Sequence, residues 1–371
     1  MFRASQTTED GLFVSDAIDP VVLDPEHRSA RGSRRSGTVG LWAVFGAGLV
    51  VLALTCWIRW LLSGQATPVD PGPDRYPYGW VIRVTEVISL SVFVFLLWRT
   101  LLRPAFRERT IDLDGKLFLG GLFASALDVL CQMFNPTWAI NAHSVNLGTW
   151  AAQFPGYAAP QGDRWAWSLG WCMPAYIWLG VGAAIVGCGY LNMLRRRLPQ
   201  VSTVALYGIV LITFMIVFGI LATTWNRTGV YSYVSSPRPL TLWAGTPHQL
   251  PLTELLFISS YCLMFTWLRD SRDVKGRCAV DRDIDDLRTG PAGKAVLSTL
   301  AVCGWAGFTT LAAYQIPNDW ISMTGGRDSI PVLPSYLQGS VYCGQPDKPL
   351  CPNQYLDKLR QQYADTNAGR G

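Results

Sequence analysis

Charge is what this chain has least of. Of its 371 residues only 15% are Asp, Glu, Lys or Arg, against about a quarter in soluble domains. That deficit excludes a solvated multidomain protein, a charge-rich disordered chain and a nucleic-acid binder. Histidine is scarce as well, with three in the chain, and no two cysteines have the close spacing of a structural zinc site. Walker-type phosphate loops and a dinucleotide fingerprint between strand and helix are missing, which removes the usual nucleotide chemistry. No internal repeat is visible, against the duplicated build of many secondary transporters. The first residues lack the apolar stretch and small-residue cleavage site of a signal peptide.

Apolar residues fill the gap: half of the chain is hydrophobic and 16 residues are Trp. Long apolar runs cover 40–62, 80–102, 117–134, 167–194, 203–225, 251–268 and 295–314. A helix needs about 20 residues to cross a bilayer, so these seven runs predict an all-α polytopic membrane bundle, with 117–134 and 251–268 the shortest. If the N-terminus is inside, 20 of the 31 basic residues fall in inner segments, so the positive-inside rule favours an N-in, C-out chain. The expected layout is a disordered cytoplasmic arm at 1–38 and a seven-helix transmembrane domain at 39–315. Outer loops at 135–166 and 226–250 and an extracytoplasmic tail at 316–371 complete it. On an oxidising outer face Cys343 and Cys351 are expected to pair, while 269–294 reads as a solvated inner loop.

Carboxylates inside hydrocarbon are costly and need a reason. Glu86, Asp128 and Glu254 all fall in the outer half of the expected membrane. Each has a plain structural reading. Glu86 has Arg83 three residues earlier, a spacing that pairs side chains on one helical face. Asp128 follows small residues that let helices approach, and Glu254 opens a helix whose dipole favours an acid. The loop after the third run carries Asn135, Asn141, His143, Asn146 and Trp150; such residues equally suit turns and caps. The second outer loop carries Tyr231, His248 and Gln249 and leads into Glu254. Most Trp residues read as an interfacial belt.

The N-x-H-x-x-N spacing of Asn141, His143 and Asn146, preceded by Asp128, Phe134 and Pro136 and followed by Trp150, Pro155, Gly156 and Pro160, resembles the avermectin-type spiroketal cyclases. A second block agrees: Val230 and Tyr231, the LTLWAG stretch, then Gln249, Pro251 and Glu254. The resemblance covers about Trp80 to Tyr314 and leaves out both ends of the chain and His248. It implies closure of a dihydroxy ketone polyketide into a spiroketal with loss of water, without a cofactor, in a bacterial cytoplasmic membrane. Asp128 would be the acid, Glu254 the base or cation stabiliser, and His143 would orient hydroxyls. Asn135, Asn141, Asn146, Trp150, Tyr231 and Gln249 would bind substrate. The implied partners are a hydrophobic small molecule and membrane lipid, with no nucleic acid. Another acid-initiated cyclase of the terpenoid type, a small-molecule transporter and a lipid-binding membrane protein remain open at this point, as does dehydration of the product.

Overall fold

The computed structural model describes residues 25–157, 159, 162, 164–324, 330–339, 343–345, 350 and 361, with side chains from residue 37 onward. It is mostly helical. In chain order the helices are α1 Pro25–Leu62, α2 Gly79–Leu96, α3 Arg103–Glu108, α4 Leu113–Ala124, α5 Cys172–Ile177 and α6 Ala183–Arg197. They continue with α7 Thr203–Arg227, α8 Leu252–Asp270, α9 Pro291–Thr310, α10 Ile316–Thr324 and α11 Ser335–Gln338. Four short strands are β1 Trp138–Ile140, β2 Tyr231–Tyr233, β3 Thr241–Leu242 and β4 Leu250–Pro251.

Five helical stretches are long and apolar enough to cross a membrane: Gly37–Leu62, Gly79–Glu108, Cys172–Arg197, Thr203–Arg227 and Pro291–Thr324. The two shortest expected spans are helical but do not meet that description. α4 has 12 residues before it tightens into a 3-10 turn at Ser125–Gln132. α8 has 19 residues and carries Glu254, Ser259 and Thr266 on its buried side. Both are packed among other helices, so little of their surface has to be apolar enough for lipid.

Two expected boundaries shift. α1 starts at Pro25, so residues 25–38, read as part of a disordered arm, belong to the first helix; proline suits a first helical turn. Residues 1–24 lie outside the described residues. At the other end a π turn at Leu311–Gln315 leads straight into α10, so the helix passes the boundary expected at 315 and ends at Thr324. Cys343 is disulfide-bonded, and its expected partner Cys351 lies outside the described residues. The other seven cysteines are free and buried.

Packing of α1 on α9 depends on glycine. A Cβ on Gly46 would sit 1.8 Å from the Leu300 carbonyl oxygen, and one on Gly304 would sit 2.1 Å from that of Trp42. Only bare backbone permits this approach, as in small-residue seams of membrane helices. At one end of the bundle, ion pairs tie helices to one another and to the loop 271–290. Arg269 is bidentate to Asp114 at 2.7 and 2.9 Å, Arg195 is bidentate to Asp270 at 2.7 and 2.6 Å, and buried Lys116 reaches Asp281 at 3.3 Å and Ser298 at 2.5 Å.

The opposite end is capped by the two loops singled out in the sequence, which meet as an antiparallel ribbon of β1 with β2. Trp138 pairs with Tyr233, Ala139 with Ser232 and Ile140 with Tyr231. Alternation along strands sends the large residues to one face and the small ones to the other. The small face is covered by Leu333 and Leu337 around α11, which pack on Ala139 and Val234. The large face looks into the bundle.

Candidate active site

Beneath that ribbon lies a cavity of about 870 Å³ of empty space, open space at its mouth included. Its roof is Trp138, Ile140, Tyr231 and Tyr233; its walls include Trp171 and Tyr176 around α5, Phe218 and Trp225 on α7, and Tyr261 on α8. The rings hold one another in place. Trp171 lies 5.4 Å from Trp225 and 5.9 Å from Tyr231, and Tyr176 lies 6.1 Å from Tyr261 between ring centroids. Two carboxyl groups, Asp128 and Glu254, open into this otherwise aromatic space. Both residues are 4% exposed.

Asp128 stands on the 3-10 turn Ser125–Gln132, where tightening from α to 3-10 geometry swings it toward α5. Its Oδ2 accepts the Trp167 indole N–H at 2.5 Å, and its Oδ1 accepts the Tyr176 hydroxyl and, at 3.5 Å, the Gln315 amide. Gln315 also donates to the Tyr176 oxygen at 2.9 Å. Both oxygens are therefore occupied by donors. Glu254 differs. Tyr314 donates to its Oε1 at 2.7 Å and the Asn318 amide faces the carboxyl, while Oε2 is buried without a hydrogen bond of normal geometry. Glu254 lies in the first turn of α8, where an acid also gains from the helix dipole.

π turns place several of these partners. Trp178–Gly182 comes directly after Tyr176 and Ile177, and Leu311–Gln315 contains Tyr314 and Gln315. An extra residue in the turn rotates the next stretch of helix by part of a turn, and such bulges recur at functional sites. Here the rotation brings Tyr314 to Glu254 and the adjacent Gln315 to Asp128.

Of the residues expected from sequence, the structure brings Asp128, Glu254 and Tyr231 to one cavity. The other six do not line it; they build its frame. Trp150 packs edge-on to Trp167 with centroids 4.5 Å apart and donates to the Ala126 carbonyl at 2.9 Å, so it holds the donor of Asp128 rather than a ligand. Asn141 donates to Gly229 at 2.7 Å and accepts from the His143 backbone at 2.9 Å. Asn146 spends all four of its bonds on the backbone of Val69, Gly148, Ala142 and Ser144. Gln249 ties Tyr233 and Val234 to Gly245. Asn135 reaches the Ser322 carbonyl at 3.5 Å. His143 lies flat against Tyr76, 5.5 Å away, beside Tyr336, and is not among the residues that line the cavity.

Glu86 keeps its structural reading. It pairs with Arg83 at 2.5 Å and accepts from the Val145 backbone at 2.6 Å and the Ser168 hydroxyl. The residues that sequence reasoning missed are the neutral donors Trp167, Tyr176, Tyr314 and Gln315. A Gln and a Tyr side by side near the end of the last apolar run were the available signal.

No group of metal-ligating side chains occurs among the described residues. No curated protein and no solved structure matches the chain. The family model described as spirocyclase AveC-like matches residues 108–333, more than half of the chain. That stretch contains Asp128, Trp167, Tyr176, Glu254 and Gln315, so the matched region and the walls of the cavity coincide, and the chain belongs to the AveC-like spirocyclase family.

Proposed function

We propose that the cavity closes a dihydroxy ketone polyketide, through its hemiketal, into a spiroketal with loss of water. The observation that carries this reading is the meeting of two differently served carboxyl groups in one aromatic-walled space. A carboxylate whose two oxygens already accept three hydrogen bonds is a fixed acceptor, since donating a proton would break one of them. Asp128 is accordingly cast as the counter-charge for the oxocarbenium ion, in place of the acid role expected from sequence. Glu254, with one close donor at Oε1 and no hydrogen bond of normal geometry at Oε2, is cast as the proton carrier.

In that scheme the Glu254 carboxyl gives its proton to the hemiketal hydroxyl, the C–O bond breaks and water departs. The second hydroxyl then attacks the cation, a new C–O bond forms, and its proton returns to Glu254. One group serves as acid and then as base, and nothing is oxidised or reduced. General acid or base help is worth about 10² to 10⁴ in rate. Cation–π contact with Trp171, Trp225 or the ribbon tyrosines adds about 0.5 to 2 kcal/mol each. A rigid pocket of this kind also selects one folded conformer of the substrate, which bears on stereochemistry as well as speed.

Partly buried Phe218, Leu221 and Ile258 on α7 and α8 form one wall of the cavity. This supports lateral access for a greasy substrate from the lipid. On the same reading α4 and α8 are the third and sixth of seven spans of a bacterial cytoplasmic membrane protein, N-in, with the ribbon on the outer side. The test is reconstitution in lipid nanodiscs with a synthetic dihydroxy ketone, followed by chiral chromatography. Faster formation of a single spiroketal stereoisomer than in empty nanodiscs supports the proposal; the uncatalysed rate and isomer mixture overturn it.

A further inference from the structure

α10 is an amphipathic helix turned inside out. Its outward residues are Ile316, Trp320 and Met323, and Trp320 is 67% exposed. Its inward residues, at helical spacing from the preceding turn, are Gln315, Asn318, Asp319 and Ser322, with Gln315 and Ser322 fully buried and Asn318 6% exposed. The stripe spans about 10 Å at 1.5 Å per residue. It begins at the reacting groups, where Gln315 touches Tyr176 and Asp128. In the middle, the Asn318 amide faces Glu254. At the far end the Ser322 carbonyl accepts from Asn135.

Within this short stretch Gln315 Oε1, Asp319 Oδ1 and Asn135 Oδ1 are buried without a protein hydrogen bond, and the Asn318 amide and the Glu254 carboxyl face each other without a bond of normal geometry. Leaving one such atom unserved costs about 1–3 kcal/mol. Three such atoms in one seam, beside an imperfect amide–carboxyl contact, are costly, and apolar side chains would have packed there at lower cost. Clusters of this kind are what internal water satisfies, each molecule taking about three hydrogen bonds.

We propose that the inward face of α10 is a hydrated path along which the water released beside Asp128 and Glu254 leaves the cavity. This rests on the reading of the chain as a dehydrative cyclase. Each turnover frees one water, made of the departing hydroxyl and the proton given by Glu254. If retained in an aromatic-walled space, that water would add back to the oxocarbenium ion. A polar stripe starting at the site of release removes it without passing the apolar substrate route at α7 and α8.

Radiolytic hydroxyl-radical labelling of the full chain in nanodiscs, read by mass spectrometry, tests the path without substrate. Cys131 is fully buried, donates to the Asp128 carbonyl at 3.0 Å, and lies within electrostatic range of Asp128, Glu254 and Asp319. Cys262 and Cys303 are equally buried and free on α8 and α9, away from the stripe, and Cys172 lines the cavity. The expected result is oxidation of Cys131 at least tenfold faster than of Cys262 and Cys303, falling toward theirs in Asn318→Leu. Ser322→Ala is a milder second variant should the first not fold. Cys131 labelling no faster than Cys262 and Cys303, with Cys172 labelled or not, overturns the path. So does labelling of Cys131 that neither variant reduces. A chain that labels Cys131 as expected but turns over no dihydroxy ketone keeps the path and loses the cyclase reading.

Discussion

Replacing Tyr176 by Phe isolates the support given to Asp128. The phenol oxygen donates to Asp128 Oδ1 and accepts from Gln315 at 2.9 Å, while the ring packs 6.1 Å from Tyr261. Phenylalanine keeps that ring and removes one donor from a carboxylate in an apolar wall. A hydrogen bond to a charged group is worth about 1.5–3 kcal/mol. If Asp128 acts only on the cation formed in the transition state, the loss appears in kcat and leaves KM unchanged. At about 1.4 kcal/mol per tenfold, the expected fall in kcat is roughly 10- to 150-fold. The assay is initial-rate spiroketal formation in nanodiscs, with thermal unfolding measured on the same preparation. Wild-type kcat in a folded Tyr176→Phe protein would refute the assignment of Asp128 as counter-charge. So would a rise in KM with kcat intact.

His143→Gln leaves kcat within about twofold, because the ring packs on Tyr76 and Tyr336 outside the cavity; steady-state kinetics check this, and a hundredfold loss would return His143 to the chemistry. Lys116→Met strands the Asp281 carboxylate among buried groups and lowers stability by about 3–5 kcal/mol, whereas Lys116→Met with Asp281→Leu recovers most of it in denaturant titrations. Gly304→Val prevents α1 and α9 from closing and abolishes folded protein on size-exclusion chromatography, while Gly48→Val, with open space around it, is tolerated. Burial and the neighbouring Asp281 push the Cys278 thiol, in the loop 271–290, up to about 12 from 9.0. Its contribution to stability is therefore fully present below pH 9 and declines as pH rises from 9 through 12. Iodoacetamide at pH 8 should leave Cys278 unmodified until the protein is unfolded, as peptide mapping would show.

Much of the architecture was written in hydropathy. The apolar runs starting near 40, 80, 167, 203 and 295 all became long helices, because lipid-facing surface must be apolar along its whole length. α4 and α8 were the least legible helices for the converse reason: helices wrapped by other helices need no apolar coat. The carboxyl pair was legible because charge in an apolar run is expensive. Its donors were not, since neither tyrosine nor glutamine is rare enough in such runs to stand out. Asn141 and Asn146 were ambiguous for a definite reason. An Asn that caps turns and an Asn that holds a substrate have the same spacing in a chain, and only the finished bond count of Asn146 tells them apart. The π turns at Trp178 and Leu311 were invisible, because the extra residue in each is imposed by packing between helices and leaves no mark on the periodicity.

The central claim is that Glu254 carries the proton in a cavity shaped for spiroketal closure. Its most direct test is the rate and stereochemistry of dihydroxy ketone cyclisation by Glu254→Gln, which keeps the size of the side chain. The predicted result is a loss of about 10² to 10⁴ in kcat, with folding intact and any residual product still enriched in the wild-type isomer, since the aromatic walls remain. Wild-type turnover by a folded Glu254→Gln protein would contradict it.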